Sequence, residues 1–254
     1  MRNLFILIEL FSIIFFFACN KQPKTTIEKS DQKAVQIVKD LINACGGMEN
    51  WNHTRYLAWY NLGGKRRIIW DKKNGDIRVE NMITLVLMNL NTKKGRAWQY
   101  GEEITEPDRL QRALDFAYES WQNDSYAVFL PFMLLNKGVI LKYLGEGKVN
   151  DRPVDIVRVT FNNVGPNPNA EYHLHIDKGS KLLVQWDYYM DVGDEQPRFS
   201  LPWLNYKKYG NLLLSNDRGV KKHPEIAVFD KLPASVFTSP EPVDLHELAL
   251  KDSL

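Results

Sequence analysis

The sequence predicts an α+β domain built on antiparallel β-structure. Three features indicate this class: an amphipathic helix near the start, a long series of strands joined by short turns, and one apolar helical insert between two sets of strands. Strands that follow one another through short turns must run antiparallel. Strands and helices do not alternate along the chain, which argues against a parallel α/β fold.

The segment "SDQKAVQIVKDLINACGG" predicts the first helix. Its apolar residues recur at helical spacing on one face and are Ala34, Val38, Leu41 and Cys45. Ser30 is expected to cap the amino end, and Gly46-Gly47 to end the helix, because glycine adopts the left-handed conformation freely. We expect Cys45 to be a buried apolar residue and not a reactive thiol.

The pattern then changes to a period of two residues. The segment "TRYLAWYNLGGKRRIIWDKKNGDIRVEN" predicts three strands with turns at Gly63-Gly64 and Asn74-Gly75. The next strand, Ile83–Leu90, is apolar on both faces and should be covered on both, and the strand Gly95–Gly101 continues the sheet. The second set of strands is expected at Val139–Leu144, Val154–Phe161, Glu171–Ile176 and Leu182–Met190. Beyond Phe199 we expect at most two further strands, near Tyr206–Leu214 and Glu225–Phe229.

The insert between the two sets contains the most apolar stretch after the amino-terminal run, Tyr126–Leu135, with Pro131 in its middle. Proline interrupts a helix because it lacks the backbone N–H and clashes with the preceding turn. The insert is therefore predicted to form a short helix and a bend, and not one long rod. A run this apolar must pack against the sheet or against a ligand.

The amino-terminal run predicts an export signal. Leu4 to Ala18 is interrupted by Glu9 and is shorter than the roughly 20 residues that a membrane-spanning helix needs. Arg2 precedes the run, as is typical of a signal peptide. Ala18 directly before Cys19, with a polar segment after it, resembles the lipobox of bacterial lipoproteins.

That resemblance implies cleavage before Cys19, attachment of diacylglycerol to its thiol and acylation of the new amino terminus by a fatty acid such as palmitate. The expected organisation is a signal peptide at 1–18, a polar tether at 19–29 and a single domain at 30–254. An uncleaved anchor and plain secretion stay open as alternatives. Asn20 is not the Asp that retains lipoproteins in the inner membrane of some bacteria, so we expect an outer-membrane anchor facing the periplasm.

Composition excludes one class of partner. The net charge of +2 provides no strongly basic face, so we expect no nucleic acid partner. With Cys19 lipidated, Cys45 has no other cysteine with which to form an intrachain disulfide. The core must then hold the fold without a crosslink. The oligomeric state does not follow from the sequence.

The order of elements, together with "VILKYLGEGKVNDRPVDIVRVTF" and "EYHLHIDKGSKLLVQWDYY", resembles the LolA/LolB-like fold of outer-membrane lipoprotein carriers. This resemblance implies a curved antiparallel half-barrel with helices packed on its concave face and an apolar cavity between them. The segments "ACGGMENWNHTRYLAWY", "IIWDKKNGDIRVE" and "KLPASVFTSP" resemble lipoproteins of Bacteroidota that share this fold. The resemblance covers roughly Val35 to Pro240.

These observations predict a membrane-anchored envelope lipoprotein that binds an acyl chain or a lipidated partner. The residues expected to line the cavity are Trp121, Phe129, Phe132 and Met133 of the insert and Leu87 of the two-sided strand. The alternative is that these side chains fill a solid core in a structural lipoprotein without a ligand.

An enzymatic function has little support in the sequence, which contains none of the usual hydrolase, metalloprotease or phosphate-binding motifs. The one suggestive group is "YHLHID", in which His173, His175 and Asp177 lie on one face of a strand and could hold a metal. The preferred interpretation is the polar face of an ordinary strand, with no catalytic residue, no metal and no cofactor. An envelope hydrolase or metal-dependent enzyme that uses His173 and His175 is the alternative.

Overall fold

The structure is a computed structural model that describes residues 29–165, 167–223 and 225–252. The helices of this part of the chain are α1 (Gln32–Ala44), α2 (Gly47–His53), α3 (Pro107–Met133), α4 (Ser235–Thr238) and α5 (Leu245–Asp252). The strands are β1 (Tyr56–Tyr60), β2 (Arg67–Asp71), β3 (Asp76–Glu80), β4 (Thr84–Asn89), β5 (Lys94–Gln99), β6 (Glu102–Glu103), β7 (Val139–Val149), β8 (Arg152–Phe161), β9 (Glu171–Asp177), β10 (Leu183–Tyr189), β11 (Phe199–Pro202), β12 (Leu204–Tyr209), β13 (Leu212–Arg218), β14 (Lys221–Lys222) and β15 (Ile226–Phe229).

The strands form three open antiparallel sheets. The first has the order β15-β1-β2-β3-β4-β5-β6, the second β11-β10-β9-β8-β7, and the third β12-β13-β14. Most neighbours in these sheets are consecutive along the chain, as short turns require. The pairing of β15 with β1 is the exception, because it joins the carboxyl-terminal region to the first strand. The predicted α+β class with open antiparallel sheets is confirmed.

The main core lies between helices α1 and α3 and the inner faces of the first two sheets. On β3 and β4, Val79 and Val86 are paired on this inner face, and Phe129 of α3 belongs to the same buried cluster. Cys45 is also buried in this cluster, as the sequence predicts, and burial raises the pKa of its thiol to about 12. This thiol therefore stays protonated and unreactive.

A smaller core covers the opposite face of the first sheet. Residues from β1, β2 and β15 pack there against Val236 of α4 and Leu245 of α5. Arg78 of β3 lies on this outer face, where its guanidinium donates to the carbonyl oxygens of Ser239 and Glu241. On the two-sided strand β4, Val86 is buried on the inner face and Leu87 on the outer face, so its middle is covered on both faces as predicted, whereas Ile83 just before it is 41% exposed.

Helix α3 corrects the prediction for the apolar insert. It is one continuous helix of 27 residues, and Pro131 lies near its carboxyl end. Pro131 cannot donate to the carbonyl oxygen of Ala127, and the buried Arg218 of β13 donates to that oxygen instead, over 2.7 Å. Because this donor comes from another element, the helix continues through the proline.

The amino end of α1 differs from its prediction too. Ser30 does not cap the helix, since its Oγ accepts a hydrogen bond from the backbone N–H of Leu141 in β7. Asp31 lies beside it and accepts from the N–H of Tyr143. Both side chains therefore fasten the start of the helix to the second sheet.

The prediction for the tail was wrong in number. Beyond residue 198 the described residues contain five strands instead of two, and then α4 and α5. Strands β11 and β14 have four and two residues, too few to show a period of two, and they form by pairing with β10 and β13 respectively.

Candidate functional site

A cavity of about 290 Å³ lies between helix α3 and the inner face of β9, β10 and β11. Its walls are completed by the end of β8 and by the loop that follows it. The lining residues are Gln122, Asn123, Tyr126, Phe161, Val164, Gly165, Asn167, Tyr172, Trp186, Tyr188 and Phe199. Six of these eleven residues are aromatic, so the cavity has predominantly aromatic walls.

The rings meet at several different angles. Phe161 stands nearly perpendicular to Tyr172, with ring centres 5.8 Å apart and planes at 88°, and it meets Tyr126 at 73°. Tyr172 is stacked on Trp186 at 5.5 Å and 13°. Edge-to-face and offset-stacked contacts are the favoured arrangements of aromatic pairs, so the walls support one another.

Strand β10 delivers two of these rings because alternate residues of a strand face the same side. Trp186 and Tyr188 both face α3, and the ring of Tyr188 stacks on Phe199 of β11 at 4.9 Å and 22°. Asn167 donates through Nδ2 to the hydroxyl oxygen of Tyr188 over 3.1 Å. The loop after β8 is therefore attached to the cavity wall.

The lining is electrically neutral. Among the described residues, no Asp, Glu, Lys, Arg or His lines the cavity. Burial raises the pKa of Tyr126 and of Tyr172, so both phenols stay protonated and uncharged at neutral pH. The indole Nε1 of Trp186 is buried and has no hydrogen-bond partner within the described part of the chain.

The residues that the sequence predicted for the cavity lie elsewhere. Phe129 and Phe132 are buried in the main core, where Phe132 stacks on Trp51 at 4.8 Å and 3° and Phe129 meets the edge of Trp59 at 5.0 Å. Trp121 packs edge to face against Trp70. The structure brings these insert residues together against the first sheet, but none of them lines the aromatic cavity.

Met133 and Leu87 also lie outside the cavity. Met133 is buried at the end of α3 as part of the main core. Leu87 pairs with Arg78 and Arg96 across β3, β4 and β5, and it therefore shares their outer face. Alternation along β4 turns Val86 to the helices and Leu87 away from them, so Leu87 cannot belong to the inner face.

The His173 and His175 strand has the predicted alternation. Leu174 and Ile176 lie in the main core, and the two histidines face the other way. His173 Nε2 lies 2.6 Å from a carboxylate oxygen of Glu171, and His175 Nε2 lies 2.6 Å from one of Asp187. A carboxylate only accepts hydrogen bonds, so each Nε2–H donates a hydrogen bond to the neighbouring carboxylate.

The electrostatics of this polar face suit a structural network. Burial would raise the pKa of Asp187, but hydrogen bonds from His175, Ser200 and Gln185 hold it below its usual value. Tyr189 places its hydroxyl 3.2 Å from His173 Nδ1. Within the described residues, no group of three or more His, Cys, Asp or Glu side chains is placed to hold a metal ion.

The proposed lipid attachment site, Cys19, and the predicted signal peptide lie outside the described residues. In the part of the chain that the structure describes, no helix is both long and apolar enough to cross a membrane.

Sequence reasoning missed the aromatic walls although their signal was present. Tyr172, Trp186 and Tyr188 occupy the same alternate positions as core residues of β9 and β10. Large aromatic residues on the inner face of a sheet can border a space that the helix above them does not fill. Only the position of α3 shows where that space lies.

Comparisons with known proteins find similarity among solved structures. No protein-family model and no curated protein matches the chain. Among solved structures, it resembles a domain described as an outer membrane lipoprotein-sorting protein domain from Vibrio parahaemolyticus, with 11% identity and a TM-score of 0.43, over 81% of this chain and 96% of that one.

Two further solved structures are similar to the chain. A DUF1329 family protein from Desulfovibrio piger has 14% identity and a TM-score of 0.41, over 80% of this chain and 97% of that one. A LolA superfamily protein from Nitrosomonas europaea has 8% identity and a TM-score of 0.38, over 81% of this chain and 97% of that one. The open antiparallel sheets with helices packed against their inner faces are the architecture that the LolA/LolB-like resemblance implied. At these identities and TM-scores, the activities of the neighbours do not carry over to this chain.

Proposed function

We propose that this protein is a lipid-anchored envelope protein that binds a hydrophobic ligand, and that its ligand site is the aromatic cavity between α3 and β9–β11. The observation that carries the proposal is a concave space with six aromatic walls beside a densely packed core. Ligand sites are typically concave and mostly apolar, with a few polar groups that orient the ligand. The amides of Gln122, Asn123 and Asn167 are such groups.

The size of the cavity limits the ligand. At about 290 Å³ it lies at the lower end of the range of about 300–1,000 Å³ that ligand pockets occupy. It therefore suits one segment of an acyl chain or one small apolar group, but not several acyl chains at once. A carrier role would then involve partial burial of its cargo, with the remainder outside the cavity.

We assign a binding function to this protein and not a catalytic one. The neutral lining provides no general acid, general base or nucleophile with an activated proton. His173 and His175 face away from the cavity, and their Nε2 atoms are hydrogen-bonded to Glu171 and Asp187 of the strand pair β9 and β10. We propose that this network is structural and that no metal is required.

The first test is binding of the neutral fluorophore N-phenylnaphthylamine to a protein that starts at residue 29, which contains both hydrophobic cores. We expect Gln122→Trp to fill the cavity and to weaken binding at least about tenfold, equivalent to about 1.4 kcal/mol. Gln111→Trp is the matched control, because Gln111 is exposed on the same helix and does not line the cavity. Equal binding by both variants would show that the fluorophore binds elsewhere.

A second pair of variants removes a wall instead of filling the space. Phe199 is 38% exposed and lines the cavity, whereas Phe116 is 41% exposed and does not. Phe199→Ala should weaken binding and Phe116→Ala should leave it unchanged, with little loss of stability in either variant. A protein that binds no apolar fluorophore at all would refute the ligand-binding proposal and favour a structural lipoprotein.

We also propose that Cys19 carries the anchor and that the mature protein faces the periplasm from the outer membrane. The abrupt change from Ala18 to a polar segment supports this. Several acyl chains give durable anchoring, at roughly 0.8 kcal/mol per buried CH₂. Cys19→Ser should block processing, so that the precursor accumulates in place of the mature protein. A variant that is processed to the mature size and is membrane-bound like the parent would contradict the assignment.

A further inference from the structure

We infer that the aromatic cavity prefers a ligand whose buried end carries an ammonium group over an acid or an alcohol of the same chain length. This inference rests on the proposed ligand-binding function and names the chemical class of the ligand. It follows from the rings that line the cavity, from the lack of basic groups in its described lining and from the charge of the loop beside it.

The walls have the composition of a cation-binding cage. Tyr, Trp and Phe rings carry negative electrostatic potential on their faces and attract ammonium groups within about 6 Å of the ring centre. The ring of Tyr172 is nearly perpendicular to that of Phe161, is stacked on that of Trp186 and is tilted against that of Tyr188. Because the rings differ in orientation, one group in the cavity can contact several of them.

The same lining disfavours an anion. No Lys, Arg or His within the described residues lines the cavity, so a carboxylate would be buried without a counter-ion. Burial raises the pKa of Tyr126 and Tyr172, which means that these surroundings already disfavour the phenolate. An ammonium group also loses water on entry, but the ring faces compensate for part of that loss.

The loop between β10 and β11 adds a negative field at one wall. It begins after Tyr189 and ends at Phe199, and its charged residues are Asp191, Asp194, Glu195 and Arg198. Asn167 of the cavity lining donates to the carbonyl oxygen of Met190 at the start of this loop. Three carboxylates against one guanidinium favour a cationic ligand at this wall.

The size of the cavity is compatible with this class. A volume of about 290 Å³ accommodates a trimethylammonium group together with a short part of its chain. Amphiphiles with an ammonium end and one alkyl chain are therefore the expected ligands.

The test compares three ligands that share an eight-carbon chain: octyltrimethylammonium, octanol and octanoate. Each displaces N-phenylnaphthylamine from the protein that starts at residue 29, after a cooperative unfolding transition has been verified. We expect the ammonium ligand to bind at least about tenfold more tightly than octanoate, equivalent to about 1.4 kcal/mol, and more tightly than octanol.

Two kinds of variant separate the causes. Tyr188→Leu keeps an apolar wall but removes a ring face, so it should weaken binding of the ammonium ligand more than binding of octanol and abolish most of the preference for ammonium. Tyr100→Leu is the control, since Tyr100 is 75% exposed and outside the cavity. Asp194→Asn combined with Glu195→Gln should reduce the same preference at low salt and have no effect at high salt.

The outcomes distinguish the preference for an ammonium group from the ligand-binding function on which it rests. Equal binding of octanol and the ammonium ligand, or tighter binding of octanoate, overturns the inference and leaves the ligand-binding function standing. Failure of all three ligands and of the fluorophore refutes the proposed function itself. If Tyr188→Leu does not fold, Phe199→Leu replaces it, because Phe199 is partly exposed and stacks on Tyr188.

Discussion

Arg218 is predicted to hold the end of helix α3 together through the carbonyl oxygen of Ala127. Pro131 provides no N–H for that oxygen, and the Nη2 atom of Arg218 lies 2.7 Å from it. The guanidinium is fully buried and lies over the ring of Trp203 at 3.6 Å. Replacing Arg218 by Met should therefore remove this donor from the buried Ala127 carbonyl group, beside which the ring of His223 is the remaining donor.

The magnitude follows from the contacts. A buried acceptor without a partner costs about 1–3 kcal/mol, and the stacking on Trp203 adds up to about 2 kcal/mol. Burial lowers the pKa of Arg218 to about 9, which shows that its charge is itself costly to bury, and Met removes that cost. We expect a net loss of about 2–4 kcal/mol in the free energy of unfolding for Arg218→Met.

A second substitution tests the cause. Pro131→Ala restores a backbone N–H that can donate to Ala127 within the helix. In the Arg218→Met background this change should recover about 1–3 kcal/mol more than it does in the unmodified protein. The assay is urea unfolding followed by circular dichroism on the unmodified protein, the two single variants and the double variant. The slope of the unfolding free energy against urea concentration must be the same in all four.

The refuting result is additivity. If the two substitutions add within about 0.5 kcal/mol, the Ala127 carbonyl group is not what couples them, and the explanation for the continuous helix is wrong. A helix signal that is already lower in Pro131→Ala alone would point to a different role for the proline.

Three further predictions concern stability. Phe132→Ala should lower the free energy of unfolding by about 3–5 kcal/mol, because Phe132 is buried against Trp51. Fluorophore binding should stay intact in this variant. A loss of stability below about 1.5 kcal/mol would contradict a solid core at this site. Burial, together with the charge of the nearby Arg218, lowers the pKa of His223 to about 4, so between about pH 6.5 and pH 4 the unfolded chain takes up a proton that the folded chain does not. Because of this proton uptake, the free energy of unfolding should fall by about 2 kcal/mol from pH 7.5 to 5, and the fall should end near pH 4. In urea unfolding measured as a function of pH, His223→Asn should remove this fall and His246→Asn should not. Finally, EDTA should leave the melting temperature unchanged, whereas stoichiometric zinc in the purified protein would overturn the structural assignment of His173 and His175.

The strands could be read from the sequence because their signal is local. Alternation in "DIRVE" and the Asn74-Gly75 turn predict β3 and the hairpin before it, and both are observed. The two-sided apolar strand was correctly expected to be covered on both faces. These patterns arise from the period of two in a strand, which each segment carries by itself.

The errors occurred where a distant residue decides the local structure. Pro131 predicted a break in the helix, and the donor that removes the need for a break lies at position 218. Ser30 has the right chemistry for a cap, but the N–H of Leu141 is its partner. The choice between partners depends on which elements lie side by side, and a window of sequence does not contain that information.

The sequence by itself determined the α+β class, the antiparallel order of most strands and the alternation that turns His173 and His175 away from Leu174 and Ile176. The tertiary structure alone decided which aromatic residues fill the core and which surround a space. Phe132 and Tyr126 lie in the same apolar stretch, yet the first stacks on Trp51 and the second faces the cavity. The physical reason is that a cavity forms where two packed elements diverge, and that divergence depends on the position of α3 against both sheets.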